Sequence, residues 1–342
     1  MNLRQIAQSL GVSPASISIV RAGRPGVSPL VRRKIQAALE ENGFRYQDYR
    51  QPDFYASARP KEGESQRFIQ LLKYRRSSLL VDKNEGFVDA VIDAIDERAG
   101  SEHYGLLLKS VSHQEYPDFL DTMDRQQFAG LLVIATEMER ADICALKKLD
   151  LPIVVLDSDH PGLPFSTVTM NNRDLAYEAV SHLYHLGCAQ VGYIYSSIRT
   201  GNFVGRANGY REGVEAHGGA WQDELVFHLT PSLQGSYEDM KKHLAQGRRV
   251  PPALFADNDV LAIGAMRALK EAGYAVGGDV RMIGVDNTPL SQLVSPALST
   301  MQISRASLGQ EAFSELLRQI EAPTIAPRHI RLGSKLIRRE TA

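Results

Sequence analysis

Cysteine occurs only as Cys144 and Cys188, both in apolar surroundings and at no metal-ligand spacing. That excludes a disulfide framework and a zinc ribbon, and two free thiols suit a reducing compartment. Tryptophan occurs once, as Trp221 after Gly218-Gly219 in an expected loop, where edge packing is a better expectation than a ligand platform. No stretch approaches the roughly 20 apolar residues of a membrane span. The opening Met-Asn-Leu-Arg-Gln-Ile carries no apolar secretory core or small-residue cleavage site, so a cytoplasmic location is expected. Neither G-x-G-x-x-G nor G-x-x-x-x-G-K-[ST] occurs, nor H-E-x-x-H, C-x-x-C or G-x-S-x-G. The nine histidines are scattered, and His182 and His185 share a helical stretch without a plausible third ligand. No catalysis, cofactor or metal is expected.

What is present describes a soluble globular chain in more than one body. The 342 residues are 43% hydrophobic and 23% charged, too many for one ordinary core. The net charge of -1 conceals an asymmetry. Residues 1–50 carry eight Arg and Lys against Glu40, Glu41 and Asp48, a net of +5, which leaves -6 for the remainder. A basic head on an acidic body points to a polyanionic partner for the head alone.

In that head, Leu3, Ile6, Ala7 and Leu10 follow helical spacing until Gly11. Ser13 is placed to cap a second short helix opened by Pro14, with Ile17 and Val20 on its inner side. A third helix repeats the device with Ser28 and Pro29, turns Val31, Ile35, Ala38 and Leu39 inward, and closes at Gly43. Two helices crossing at a tight turn, followed by a third, form the helix-turn-helix pattern.

These residues place the chain close to the lactose-repressor (LacI/GalR) family, which it resembles at Ile6-Ala7, Gly11-Val12-Ser13, Ser16-Ile17-Ser18, the stretch from Gly23 to Ser28, and Arg32. The resemblance implies that the second helix enters the major groove of double-stranded operator DNA. Asn2, Leu3, Ser13, Pro14, Ala15, Ser16, Ser18, Ile19, Arg21, Arg24 and Ser28 are the candidate DNA contacts. Pro14, Ala15 and Ile19 are apolar where the family often has polar or basic side chains. Such groups touch a thymine methyl but make no bidentate bond to guanine or adenine. Direct readout is expected to lean on methyl contacts, with the serines and Arg21 or Arg24 adding polar ones. Arg21 and Ala22 also replace a usual leucine and asparagine. The connecting stretch 49–66, with Pro52, Pro60 and Gly63, reads as a linker, and Asp53 falls where the family's minor-groove leucine would lie.

Beyond residue 66, short apolar runs at 67–72, 105–109, 130–134, 153–156, 168–170, 191–195, 253–256 and 282–285 alternate with amphipathic stretches such as 86–98, 174–186 and 259–272. Such alternation means βαβ units and parallel sheets covered on both faces, here in two lobes. The family resemblance continues through Asn171-Asn172, Arg206-Ala207-Asn208-Gly209-Tyr210, Phe255-Ala256-Asp257-Asn258-Asp259, Ile283-Gly284-Val285-Asp286 and Pro296-Ala297-Leu298-Ser299-Thr300. It implies an N-terminal all-α helix-turn-helix domain at 1–48 and an α/β bilobed periplasmic-binding-protein-like (type I) effector domain at 67–342. Lobe 1 is expected at about 67–160 and 291–323, and lobe 2 at about 161–290 and 324–342.

Matched motif to motif, Arg206, Asn258 and Asp286 fall where the family binds its small-molecule effector, with Asp157 and Phe87 on the opposite wall. The set suits a sugar or sugar derivative: Arg donates through a rigid fork, Asp accepts from adjacent hydroxyls, and Asn does both. Plainer roles remain open, with Asp286 and Asn258 as caps and Arg206 in an ion pair. The resemblance also implies a homodimer, with helices 86–98 and 259–272 as its faces, that represses transcription under effector control. Two other readings are a solute-binding protein of the same bilobed fold and a relative without sequence-specific DNA binding.

Overall fold

The structure, a computed structural model, describes residues 3–10, 12–21, 29–42, 44, 67–77, 79–81 and 86–342. The chain separates into two compact units, Met1–Glu62 and Gly63–Ala342. Asn2, Arg24, Ser28 and the expected linker 49–66 lie outside the described residues.

The first unit has three helices, α1 (Leu3–Ser9), α2 (Pro14–Arg21) and α3 (Pro29–Glu41). The Ser16 amide donates to Ser13 Oγ at 3.1 Å, so Ser13 caps α2 and Pro14 opens it, where no intrahelical donor is needed. Ile6, Ala7, Ile17, Val20, Ile35 and Leu39 form the buried core, edged by Leu3, Leu10, Val12, Val31, Ala38 and Phe44. The helical spacing of apolar residues alone specified this core.

The second unit is built on two six-stranded sheets. Lobe 1 begins with β1 (Arg67–Arg75), α4 (Phe87–Ser101), β2 (Tyr104–Ser112), α5 (Tyr116–Thr122), β3 (Phe128–Ile134), α6 (Arg140–Ala145), β4 (Ile153–Leu156) and β5 (Ser166–Met170). The chain then crosses into α7 (Asn172–His185), β6 (Val191–Ser196), α8 (Gly201–Ala216), β7 (Val226–Leu229), α9 (Leu233–Ala245), β8 (Ala253–Ala256), α10 (Asp259–Glu271), β9 (Arg281–Val285), α11 (Pro289–Leu293) and β10 (Ser299–Ile303) of lobe 2. It returns as α12 (Arg305–Glu321) and β11 (His329–Leu332) to lobe 1, and ends on β12 (Ser334–Ile337) in lobe 2. The first sheet, in the order β11-β5-β4-β3-β1-β2, is parallel throughout. The second repeats the order as β12-β10-β9-β8-β6-β7, with β12 antiparallel to β10.

The crossings therefore fall near 171, 304 and 333, not near 160, 290 and 323. Strands β5, β10 and β11 each stay paired with the lobe they come from before the chain leaves it. An apolar run announces a strand, but its sheet is decided by long-range pairing. Strands β7, β10, β11 and β12 escape the sequence pattern because they are four or five residues long and carry His228, Ser299, Thr300 and Gln302, or alternate at half exposure.

Within lobe 2, α7 and α8 pack unusually close. A Cβ on Gly209 would stand 1.9 Å from the Arg173 carbonyl oxygen, so no larger residue fits there. This contact fixes the direction in which α8 presents its first turns to the other lobe.

Candidate functional site

In both lobes the loops that follow the strands at their carboxyl ends face a shared cleft, as open α/β sheets dictate. Phe87, Asp157, Arg206, Asn258 and Asp286, five residues from five separate segments, line the same cavity. Lobe 1 supplies Phe87 at the start of α4 and Asp157 just after β4. Lobe 2 supplies Arg206 from α8, Asn258 between β8 and α10, and Asp286 after β9. Thr136, Thr200, Asn202 and Phe203 also line the cavity and were not picked out from the sequence. Their signal was absent, because a threonine or asparagine near a strand end or helix start reads as a turn or cap.

The lobes are shut. None of the five residues is more than 5% exposed, and the space between them is about 30 Å³. Small-molecule pockets generally run to roughly 300–1,000 Å³, so the lobes must part to admit a ligand.

Arg206 sits at the centre. Its Nε donates to Asn172 Oδ1 at 2.9 Å, Nη1 donates to the Asp257 carbonyl, and Nη2 lies 3.8 Å from the Asp286 carboxylate. Asp157 accepts from Thr136 Oγ1 at 2.5 Å and from Asn202 Nδ2 at 2.9 Å. Asn258 caps α10 through its Oδ1, which accepts from the Leu261 amide at 3.0 Å, so the capping role weighed from the sequence is present while the residue also lines the cleft. Phe87 carries the Arg305 guanidinium 5.7 Å from its ring centroid. Trp221 is elsewhere, edge-on to Tyr193 and Tyr210 and donating to Asp223.

Both cleft acids have left-handed backbones, φ 56° at Asp157 and 109° at Asp286. Such conformations cost energy away from glycine and concentrate at functional sites. The electrostatics are also unusual. Burial pushes the Asp157 carboxyl up to about 6, against the pull of Thr136 and Arg206 and with the Asp286 charge adding to the rise. Asp259, behind the cleft, is pushed up to about 7 by burial and then by Asp286, although Thr300 and Thr288 donate to it. Burial also raises Asp257. Arg206 thus stands among the two carboxylates that line the cavity, Asp157 and Asp286, while Arg199 pairs with Asp257 at 2.8 Å, and a ligand rich in hydroxyl donors would suit the lining acids.

On the first unit, Pro14, Ser18 and Arg21 fall on one exposed stripe of α2, opposite the buried Ile17 and Val20. Ser13 is exposed, Ser16 and Ile19 are half-buried, and Ala15 belongs to α2. Leu3 is half-buried against the helix core, which makes it a packing residue first.

A helix-turn-helix unit together with a bilobed α/β unit closing on a polar cleft defines the class of ligand-responsive DNA-binding proteins. Residues 180–342 match the family model of a periplasmic binding protein-like domain. The HTH-type transcriptional regulator DegA of Bacillus subtilis (strain 168) is 26% identical over 98% of this chain and 96% of its own length. Among solved structures, a transcriptional regulator CelR–cellobiose complex superposes with a TM-score of 0.71 at 21% identity, over 100% of both chains. The Lac repressor dimer bound to operator and the anti-inducer ONPF superposes at 0.69 and 23% identity, covering 100% of this chain and 98% of that one. Over nearly its whole length the chain is similar to helix-turn-helix transcription regulators of the lactose-repressor (LacI/GalR) kind. No helix among the described residues is long and apolar enough to cross a membrane.

Proposed function

We propose that this protein is a cytoplasmic, homodimeric transcription repressor whose affinity for operator DNA is set by a sugar or sugar derivative bound between its lobes. The observation that carries the reading is the convergence of Phe87, Asp157, Arg206, Asn258 and Asp286 on one cleft from five distant segments. Their chemistry suits a polyol: Asp157 and Asp286 accept from hydroxyls, Arg206 and Asn258 donate, and Phe87 and Phe203, from opposite lobes, offer apolar faces to a ring. The domains in this reading are a head at 1–48, a linker at 49–66 and the effector body at 67–342. The exposed stripe Pro14, Ser18 and Arg21 supports α2 as the groove-reading helix.

A second copy is supported by edge strand β2, beside α4, whose Leu107 and Leu108 are 44% and 52% exposed, an apolar edge that a partner would cover. The other expected face, α10, is mostly buried against its own sheet and α9, leaving chiefly Arg267, Lys270 and Glu271 outside. The cleft groups work as binding groups in this reading, without catalysis.

Because linkage is reciprocal, an effector shifts operator affinity only by its unequal affinity for the two lobe arrangements. The test is fluorescence anisotropy of the protein on DNA from its own upstream region and on random DNA, with a saccharide panel, for wild type and Asp286→Ala. The expected result is preference for the upstream fragment and an affinity change with one saccharide that D286A abolishes. Equal affinity for both DNAs refutes operator recognition, and an unaltered saccharide response in D286A removes Asp286 from the site.

A further inference from the structure

We propose that Asn202 is a clasp that holds the two lobes shut on each other. Asn202 is the second residue of α8 in lobe 2 and is 3% exposed. Its Nδ2 reaches across the cleft and donates twice to Asp157 of lobe 1, to the backbone oxygen at 3.0 Å and to Oδ1 at 2.9 Å. Its Oδ1 accepts from Asn172 Nδ2 at 3.1 Å and from Thr169 Oγ1 at 3.4 Å. An amide has two hydrogens and two lone pairs, and all four are engaged inside the protein. Asn202 therefore lines the cleft without spare capacity to hold a ligand, and its bonds run from lobe to lobe.

The clasp continues on both sides. Arg206 Nε donates to Asn172, Asn172 to Asn202, Asn202 to Asp157, and Thr136 donates to the far oxygen of Asp157. This unbroken line links the central guanidinium of lobe 2 to the strand ends of lobe 1. Shape independently supports the same closure. A Cβ on Gly201 would lie 3.1 Å from the Asp159 carbonyl carbon and 3.2 Å from the His160 nitrogen, so the loop after β4 rests on the bare start of α8. Arg331 of β11 holds Asp159 of that loop at 3.0 Å. Burying these polar groups is tolerable because each finds a partner, whereas an opened cleft returns them to water.

Bonds that tie lobe to lobe have a regulatory consequence, which rests on the cleft being the effector site. An incoming ligand must wait for the clasp to release, so the strength of these bonds tunes how readily the protein responds. The test needs no effector. Hydrogen–deuterium exchange is followed by mass spectrometry on the dialysed full chain, in peptides spanning 157–172 and 197–206, with 262–271 in the body of α10 as a core reference. In wild type both cleft peptides are protected. N202A is expected to exchange roughly tenfold faster in both, with the reference unchanged. N202S, with one donor in place of two, gives a smaller rise and remains the readout should N202A lose core protection as well. G201V wedges the loop off α8 and is expected to expose 157–172 without touching the amide.

A rise confined to 197–206 in the Asn202 variants means only a local role in α8 and overturns the proposal. So does exposure of 157–172 in G201V alone, which leaves shape rather than Asn202 as the closing agent. Failure of the saccharide reading leaves this result standing, and failure of the clasp leaves the anisotropy experiment untouched.

Discussion

The two lobes share one strand order, yet they equip the same positions differently. After the third strand in the sheet order, counted from the closing edge, lobe 1 places Asp157 and lobe 2 places Asp286, both with left-handed backbones. After the fourth, lobe 1 offers Thr136 and lobe 2 offers Asn258. At the helix that follows the fifth, lobe 1 gives Phe87 and lobe 2 gives Arg206, the one guanidinium lining the cavity among the described residues. A repeated scaffold guarantees where side chains point, while their chemistry is free to diverge. Lobe 1 contributes an acceptor and an apolar wall, and lobe 2 holds the positive charge that keeps the buried carboxylates tolerable.

Four experiments would break or sharpen that division. Arg206→Ala in lobe 2 strands Asp286 and Asp157 without their buried counter-charge and is expected to cost about 3–5 kcal/mol in urea unfolding. If its cost matches that of a lobe 1 cleft substitution, the contrast between lobes collapses.

The next effect is a pH profile. Folded Asp259 keeps its proton up to about 7 and folded Asp157 up to about 6, whereas the unfolded chain releases them near 3.8. Between those limits the folded state holds more protons, so stability falls as pH rises through each window. Unfolding measured from pH 4 to 8 should show Asp259→Asn flattening the wider window of lobe 2, and Asp157→Asn only the narrower window of lobe 1. Identical profiles in both variants would mean that the two acids are not separately controlled.

A third experiment works in the opposite direction. Glu315 of α12 is buried, which alone would raise its carboxyl, but bonds from Arg318, Ser166 and Arg328 overcome this and hold it at about 2. Its contribution is complete above about 4.5 and disappears as pH falls toward 2. Acid titration of Glu315→Gln should lose that part of the acid transition, and a curve parallel to wild type refutes it. The smallest effect belongs to Thr136→Val, which removes one donor to Asp157 and should cost only about 1 kcal/mol by the same urea measurement.

By itself, the sequence determined the periodic and locally punctuated features. The spacing of Ile6, Ile17, Val20, Ile35 and Leu39 specified the head core, Ser13-Pro14 specified the start of α2, and the apolar runs specified eight strands, because each signal lies within a few residues of chain. The motif residues Arg206, Asn258 and Asp286, with Asp157 and Phe87, were also legible as candidates, through family resemblance rather than through any local pattern. Tertiary structure decided the rest. Only pairing across the sheet could assign β5 and β11 to lobe 1 and β10 to lobe 2, and only folding could bring Asn202 within 2.9 Å of Asp157, 45 residues away in the chain. An asparagine has the same hydrogen-bonding capacity wherever it stands. Whether it caps a helix, meets a ligand or ties two lobes together depends on which partners the fold places within reach.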